Sequence, residues 1–167
     1  MATLKEKLLT KIEEWRPRTT KLLRQYGDVK IGEVTIAQAI GGMRGIKGLV
    51  TDISYLDPNE GIRFRGYTIP ETLENLPKVP GSEMPYVEGL FYLLLTGDIP
   101  TETEVNDLCE SFKKRSNVPE YVFDILKAMP IDTHPMTMLS TAIVAMQRES
   151  EFVTQYHQGL NKLDFWK

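Results

Sequence analysis

Apolar residues recur every three or four positions along most of this chain. Leu4, Leu8, Ile12 and Trp15 lie at helical spacing behind Thr3, and Glu6 completes a capping box at the start. Pro17 is expected to interrupt or restart that helix. Leu22, Leu23 and Tyr26 continue its apolar face, and Gly27 is expected to end it in the left-handed conformation. The stretch from Ile31 to Ile40 is mixed, with room for a brief helix from Ile36 to Ile40.

The period then changes. Val50, Ile53 and Tyr55 precede Asp57-Pro58-Asn59-Glu60-Gly61, after which Ile62 and Phe64 alternate with Arg63 and Arg65. That reads as one small hairpin with both arginines on the same face, solvated or salt-bridged near Asp57 and Glu60. Pro70 opens a short helix through Leu76, and a Pro- and Gly-rich loop follows to Gly81.

Four stronger helices come next. Val87, Leu90, Phe91, Leu94 and Leu95 form one apolar face, with Pro85 near the start and Gly97 past the end. Thr101 and Glu104 make a second capping box ahead of Val105, Leu108, Cys109 and Phe112. A third helix begins near Pro119 and carries Val122, Ile125, Leu126 and Met129 to Pro130. The fourth takes Thr133 as its cap and Pro135 in its first turn. Its residues Met136, Met138, Leu139, Ala142, Ile143, Val144, Ala145 and Met146 are apolar on more than one face, which a chain this size can hardly bury alone, so a partner surface is implied. A last helical pattern with Phe152, Val153, Tyr156 and Leu160 leads to Phe165 and Trp166, which look exposed.

The predicted fold class is mainly α with one small β-hairpin, and 167 residues with 41% hydrophobic content suit a single domain, 1–167. Twenty basic and 23 acidic residues give a net charge of -3. That balance disfavours nucleic acid and a polybasic membrane surface as partners, and no apolar run approaches a membrane span. The single Cys109 has no disulfide partner or spaced zinc ligands, so no metal site is expected; it reads as core packing in a reducing compartment. Glu6, Glu13 and Glu14 in an amphipathic start fit neither a secretory signal nor an acid-poor transit peptide.

Chemistry concentrates in Gly41-Gly42-Met43-Arg44-Gly45-Ile46-Lys47-Gly48. Four glycines in eight positions leave backbone amides open, and Arg44 and Lys47 add fixed positive charge, a composition suited to phosphate. Neither standard nucleotide loop fits: Gly48 follows Lys47 where a Ser or Thr is needed, and no Gly-x-Gly-x-x-Gly opens a helix. The histidines look structural. His134 stands at a helix start, where its ring bonds locally, and His157 lies on the polar side of the last helix.

This loop, with Asp57-Pro58-Asn59-Glu60-Gly61-Ile62-Arg63-Phe64-Arg65-Gly66-Tyr67, resembles the N-terminal part of citrate synthase. The likeness runs on through Pro85-Tyr86-Val87-Glu88-Gly89-Leu90-Phe91-Tyr92-Leu93-Leu94-Leu95-Thr96-Gly97 and His134-Pro135-Met136. It implies the N-terminal portion of that family's large helical domain. The family condenses acetyl-CoA with oxaloacetate and water to give citrate and CoA in the tricarboxylic acid cycle, the coenzyme being a substrate and not a tightly bound cofactor.

By resemblance, Arg44 takes the position of an arginine near the phosphates of coenzyme A. Lys162 matches a second basic contact, where relatives carry arginine, and lysine loses the planar two-pronged donor. No catalytic residue is carried over: the family's two histidines and aspartate sit in Gly-rich segments absent from these residues, and the chain alone is expected to be inactive. The resemblance also implies a homodimer through the helix Pro135 to Gln147. Alternatives are a non-catalytic interaction module or a coenzyme A-binding module. The acidic N-terminal helix, unlike a presequence, points to the bacterial cytoplasm, with the mitochondrial matrix after presequence removal as the alternative.

Overall fold

The computed structural model describes residues 3–166. Among them are eight α-helices and one small antiparallel sheet of three strands, a mainly α chain as expected. The chain groups into two compact units, the first ending at Ser111 and the second beginning at Phe112.

In the first unit, helix α1 spans Leu4–Tyr26. Its capping box is closed as predicted: the Glu6 amide donates to Thr3 Oγ1 (3.3 Å) and the Thr3 amide to Glu6 Oε2 (2.7 Å). Pro17 neither ends nor restarts the helix, which runs through it and forgoes the one bond that proline cannot donate. Gly27 is also not left-handed; its φ is -58°. Glycine is needed there for space, because a Cβ would lie 2.5 Å from the Leu23 carbonyl oxygen that accepts the Gly27 amide. Helix α2, Ile36–Ile40, is capped by Thr35 with Gln38.

The sheet exceeds the predicted hairpin by one strand. β1 (Ser54–Asp57) pairs with β2 (Gly61–Phe64), and β2 pairs with a two-residue β3 (Tyr67–Thr68). The first turn is held by the Asp57 carboxylate, which accepts the amides of Asn59 (2.8 Å) and Glu60 (2.9 Å). The second turn is Arg65-Gly66, with φ of 49° and 92°, the positive pair that a two-residue turn of type I′ requires. Strand β3 then feeds α3 (Ile69–Asn75), whose Thr68 and Glu71 form a further capping box.

Helix α4 (Val87–Thr96) ends on left-handed Gly97 at 80°, and α5 (Glu102–Lys114) follows behind the Thr101–Glu104 box. The core sits here: Leu76, Tyr92, Leu93, Val105 and Leu108 are buried, together with Thr72 and Thr96. Burying a leucine or valine contributes about 1.5–3 kcal/mol each, so α4 and α5 carry much of this unit's stability. Cys109 is half-buried on α5.

The second unit contains α6 (Glu120–Ala128), α7 (Pro135–Ala145), a 3₁₀ turn at Met146–Glu149, α8 (Glu151–His157) and a 3₁₀ turn at Lys162–Asp164. The cap of α7 is His134, one residue later than expected: its Nδ1 accepts the Met136 amide at 3.2 Å. The α-helix also ends at Ala145, short of Gln147. Tyr121 of α6 donates its hydroxyl to the Ala145 carbonyl (3.2 Å), joining α6 to the end of α7. Phe165 is not exposed; its ring meets Phe152 edge-on at 5.2 Å, and Trp166 is half-buried.

Candidate functional site

Arg63 and Arg65 do not share a face. Arg63 lies on β2 and behaves as predicted, its Nε donating to Glu60 (2.8 Å) and its Nη1 to the Gly66 carbonyl (2.7 Å). Arg65 lies beyond the strand, in the turn, where the alternation of the pleat no longer applies. Its side chain is only 7% exposed. Nε and Nη2 donate to the Leu94 carbonyl (3.0 and 2.7 Å), Nη2 reaches the Leu95 carbonyl (3.3 Å), and Nη1 pairs with Asp52 (2.8 Å). The guanidinium also stands 5.2 Å from the ring of Trp15. Carbonyls in the last turn of a helix have no helical partner and carry its negative dipole end, so a buried cation is favourable there. Composition gave no sign of this. A two-residue spacer ending in glycine between Phe64 and Tyr67 was the available signal.

A second polar cluster joins α1, α4 and α5. Tyr92 donates its hydroxyl to Glu104 at 2.6 Å, Lys11 pairs with Asp98 at 2.9 Å, and Lys7 lies 3.8 Å from Glu104 and 3.9 Å from Asp98. Burial and the adjacent Glu104 carboxylate raise the Tyr92 phenol well above its usual value. Burial acts to raise Glu104 as well, but hydrogen bonds from the Thr101 amide, the Tyr92 hydroxyl and the Thr101 hydroxyl, with the Lys7 charge, hold it below the usual carboxylate value.

Arg44 and Lys47 are exposed in the loop between α2 and β1. The open amides expected of that loop are largely taken: those of Gly41, Gly42, Met43, Ile46 and Gly48 donate to carbonyls of α2 or of the loop itself. What the loop presents is therefore side-chain charge more than a ring of free amides. Gly42 and Gly45 have φ of 78° and 75°, and Met43 also turns left-handed at 62°. Lys162 is exposed at the start of the last 3₁₀ turn, in the second unit. In α7 no residue is buried, and Met136, Leu139, Ile143 and Val144 are 50–73% exposed.

Along the distal half of α1, an open groove of about 550 Å³ is lined by Arg16, Pro17, Thr20, Lys21, Arg24 and Gln25. All six come from one helix, and none is a candidate binding residue of the sequence. Among the described residues no group of three or more His, Cys, Asp or Glu could hold a metal ion, and no helix is long and apolar enough to cross a membrane.

The family model described as "Citrate synthase, C-terminal domain" matches residues 42–165, which include the Arg44 loop, Arg65 and Lys162. The chain belongs to the citrate synthase family. Among similar proteins are those named "Citrate synthase, mitochondrial" from Xiphias gladius (46% identical), Saccharomyces cerevisiae (48%) and Aspergillus niger (47%), each over 164 residues and 98% of this chain. The chain spans 34–35% of the length of these relatives. A citrate synthase family chain thus carries Arg44 on a turn tightened by its own amides, and Arg65 buried against the end of α4.

The Glu104 cluster makes a pH prediction. A folded pKa below the unfolded value contributes stability that is fully present above about pH 5 and is lost as pH falls through the folded pKa. Urea midpoints of the unsubstituted chain should fall as the pH drops below about 5, and Glu104→Gln should show a shallower fall. Parallel slopes for the two chains would contradict the assignment.

Proposed function

We propose that this chain is the N-terminal portion of a citrate synthase. Both its units would belong to the large helical domain of an enzyme that condenses acetyl-CoA with oxaloacetate and water to give citrate and CoA. The observation that carries this is the identity of 46–48% along 98% of the chain to three proteins bearing that name. All three names also say mitochondrial, which supports the mitochondrial matrix; nothing found supports the bacterial cytoplasm.

In this reading Arg44 contacts a phosphate of coenzyme A from its exposed loop, and Lys162 supplies a second, less directional charge. Coenzyme A is bound as substrate and product. One Arg-to-phosphate contact contributes roughly 1.5–3 kcal/mol, so neither residue makes a site alone. The proton transfers belong to groups outside residues 1–167, because the family's two histidines and aspartate have no matching segments here. The 167-residue chain by itself is then inactive, and oxaloacetate is bound elsewhere in the enzyme.

Helix α7 serves as a homodimer surface. Its exposed Met136, Leu139, Ile143 and Val144 favour this reading, since a helix apolar on several sides is stable in water only when covered.

Two experiments test the proposal. Mixing this chain with a polypeptide carrying the remaining length of the Saccharomyces cerevisiae relative should give oxaloacetate-dependent release of free CoA thiol, and neither piece should do so alone. Arg44→Ala in the mixture should raise the KM for acetyl-CoA by about tenfold, in line with the loss of one charged contact. Citrate formation by the chain alone would contradict the assignment of roles. Sedimentation at micromolar concentration should show a dimer that Ile143→Asp dissociates, and a monodisperse monomer of the unsubstituted chain would refute the dimer surface.

A further inference from the structure

Among the described residues, the non-glycine positions of positive φ are Met43 (62°) and Arg65 (49°). Side chains rarely adopt this conformation, and it persists where the surroundings over-determine it. Met43 immediately precedes Arg44. Arg65 occupies the first position of a two-residue turn that favours Asn, Asp or Gly, so the cost of its backbone is offset by what its side chain holds.

What it holds is the far end of the loop that bears Arg44. At the near end, the amides of Gly41 and Met43 donate to the Ala37 and Gln38 carbonyls (2.9 and 2.8 Å). Within the loop the amides of Ile46 and Gly48 close short turns on Met43 and Ile46. Leu49 and Val50 are 81% and 93% exposed, so packing does not restrain the descent. The chain is caught again at Asp52 and Ile53: Asp52 pairs with Arg65 Nη1 at 2.8 Å, and the Arg65 amide donates to the Ile53 carbonyl at 2.8 Å.

We propose that Arg65 is a positioning residue for the coenzyme, fixing through Asp52 the loop on which Arg44 is presented. The inference rests on the reading of Arg44 as a phosphate contact. Arg65 suits the role because it is itself immobilised, buried against the carbonyls of Leu94 and Leu95 and the face of Trp15. A loop held closely at both ends gives Arg44 few positions to lose on binding; with the Asp52 pair gone and only the Ile53 backbone bond left at the far end it has more, and affinity falls accordingly.

Asp52 is the point at which to test this, since its side chain is 81% exposed and its removal leaves the Arg65 contacts to α4 in place. In the full chain, Asp52→Ala should speed amide exchange at Ile46 and Gly48, whose amides are bonded within the loop, and leave exchange in α4 and the thermal midpoint unchanged. It should weaken coenzyme A binding by titration about three- to tenfold, a fraction of the cost of ordering one residue. In a chain already bearing Arg44→Ala it should have no further effect on binding. Unchanged loop exchange, unchanged affinity, or an equal loss in the Arg44→Ala background would overturn the positioning role while leaving the Arg44 contact standing. If Arg44→Ala does not alter coenzyme A binding, or the unsubstituted chain binds none at millimolar concentration, the contact fails and the inference fails with it.

Discussion

A buried arginine at the end of a helix organises the first unit of this protein. Arg65 spends its donors on the Leu94 and Leu95 carbonyls and on Asp52, and lays its guanidinium over Trp15. One side chain thus connects α4, α1, the turn between β2 and β3, and the loop that precedes β1. A lysine could not replace it, because a point charge on a flexible stem cannot meet several acceptors and an aromatic face at once. The turn's left-handed backbone is the cost of aiming the side chain inward, and the charge-assisted bonds offset it.

Around that anchor, local signals and packing agree. Capping boxes at Thr3, Thr35, Thr68 and Thr101 start four helices, and Gly97 ends α4 in the left-handed form. The apolar faces of α4 and α5 then bury Leu93, Val105 and Leu108. The Tyr92–Glu104 bond places a charged cap against that core, and Lys7 and Lys11 bring α1 to it. Elsewhere the protein leaves apolar surface in water, both along α7 and between Val29 and Leu56, where Ile36, Ile40, Leu49 and Val50 are exposed.

Much of this was legible in residue order, because helical periodicity and caps are local. The four helices from Val87 onward, the short helix at Ile36 and the turn at Asp57 all depend on neighbours three or four positions away. What was not legible depended on the third dimension. Gly27 was read as left-handed because that is glycine's common use, whereas here it makes room for the Leu23 carbonyl. Thr133 looked like the cap of α7, but the imidazole of His134 lies within reach of the Met136 amide and takes the place. Arg65 was grouped with Arg63 by alternation, which holds only while the strand continues. The loop at Arg44 was recognisable from its glycines and its charge, yet the use of its amides within the turn depended on φ values that composition does not give.

The account stands on Arg65 being immobile and shielded, and the exchange rate of its own Nε–H measures that most directly. Nitrogen-15 NMR of the chain at neutral pH should show the Arg65 Nε–H as a sharp, slowly exchanging resonance, while that of exposed Arg44 is broadened by rapid exchange with water. An Arg65 signal exchanging as fast as that of Arg44 would mean that the guanidinium is free in solution, and the anchor on which both α4 and the loop depend would not exist.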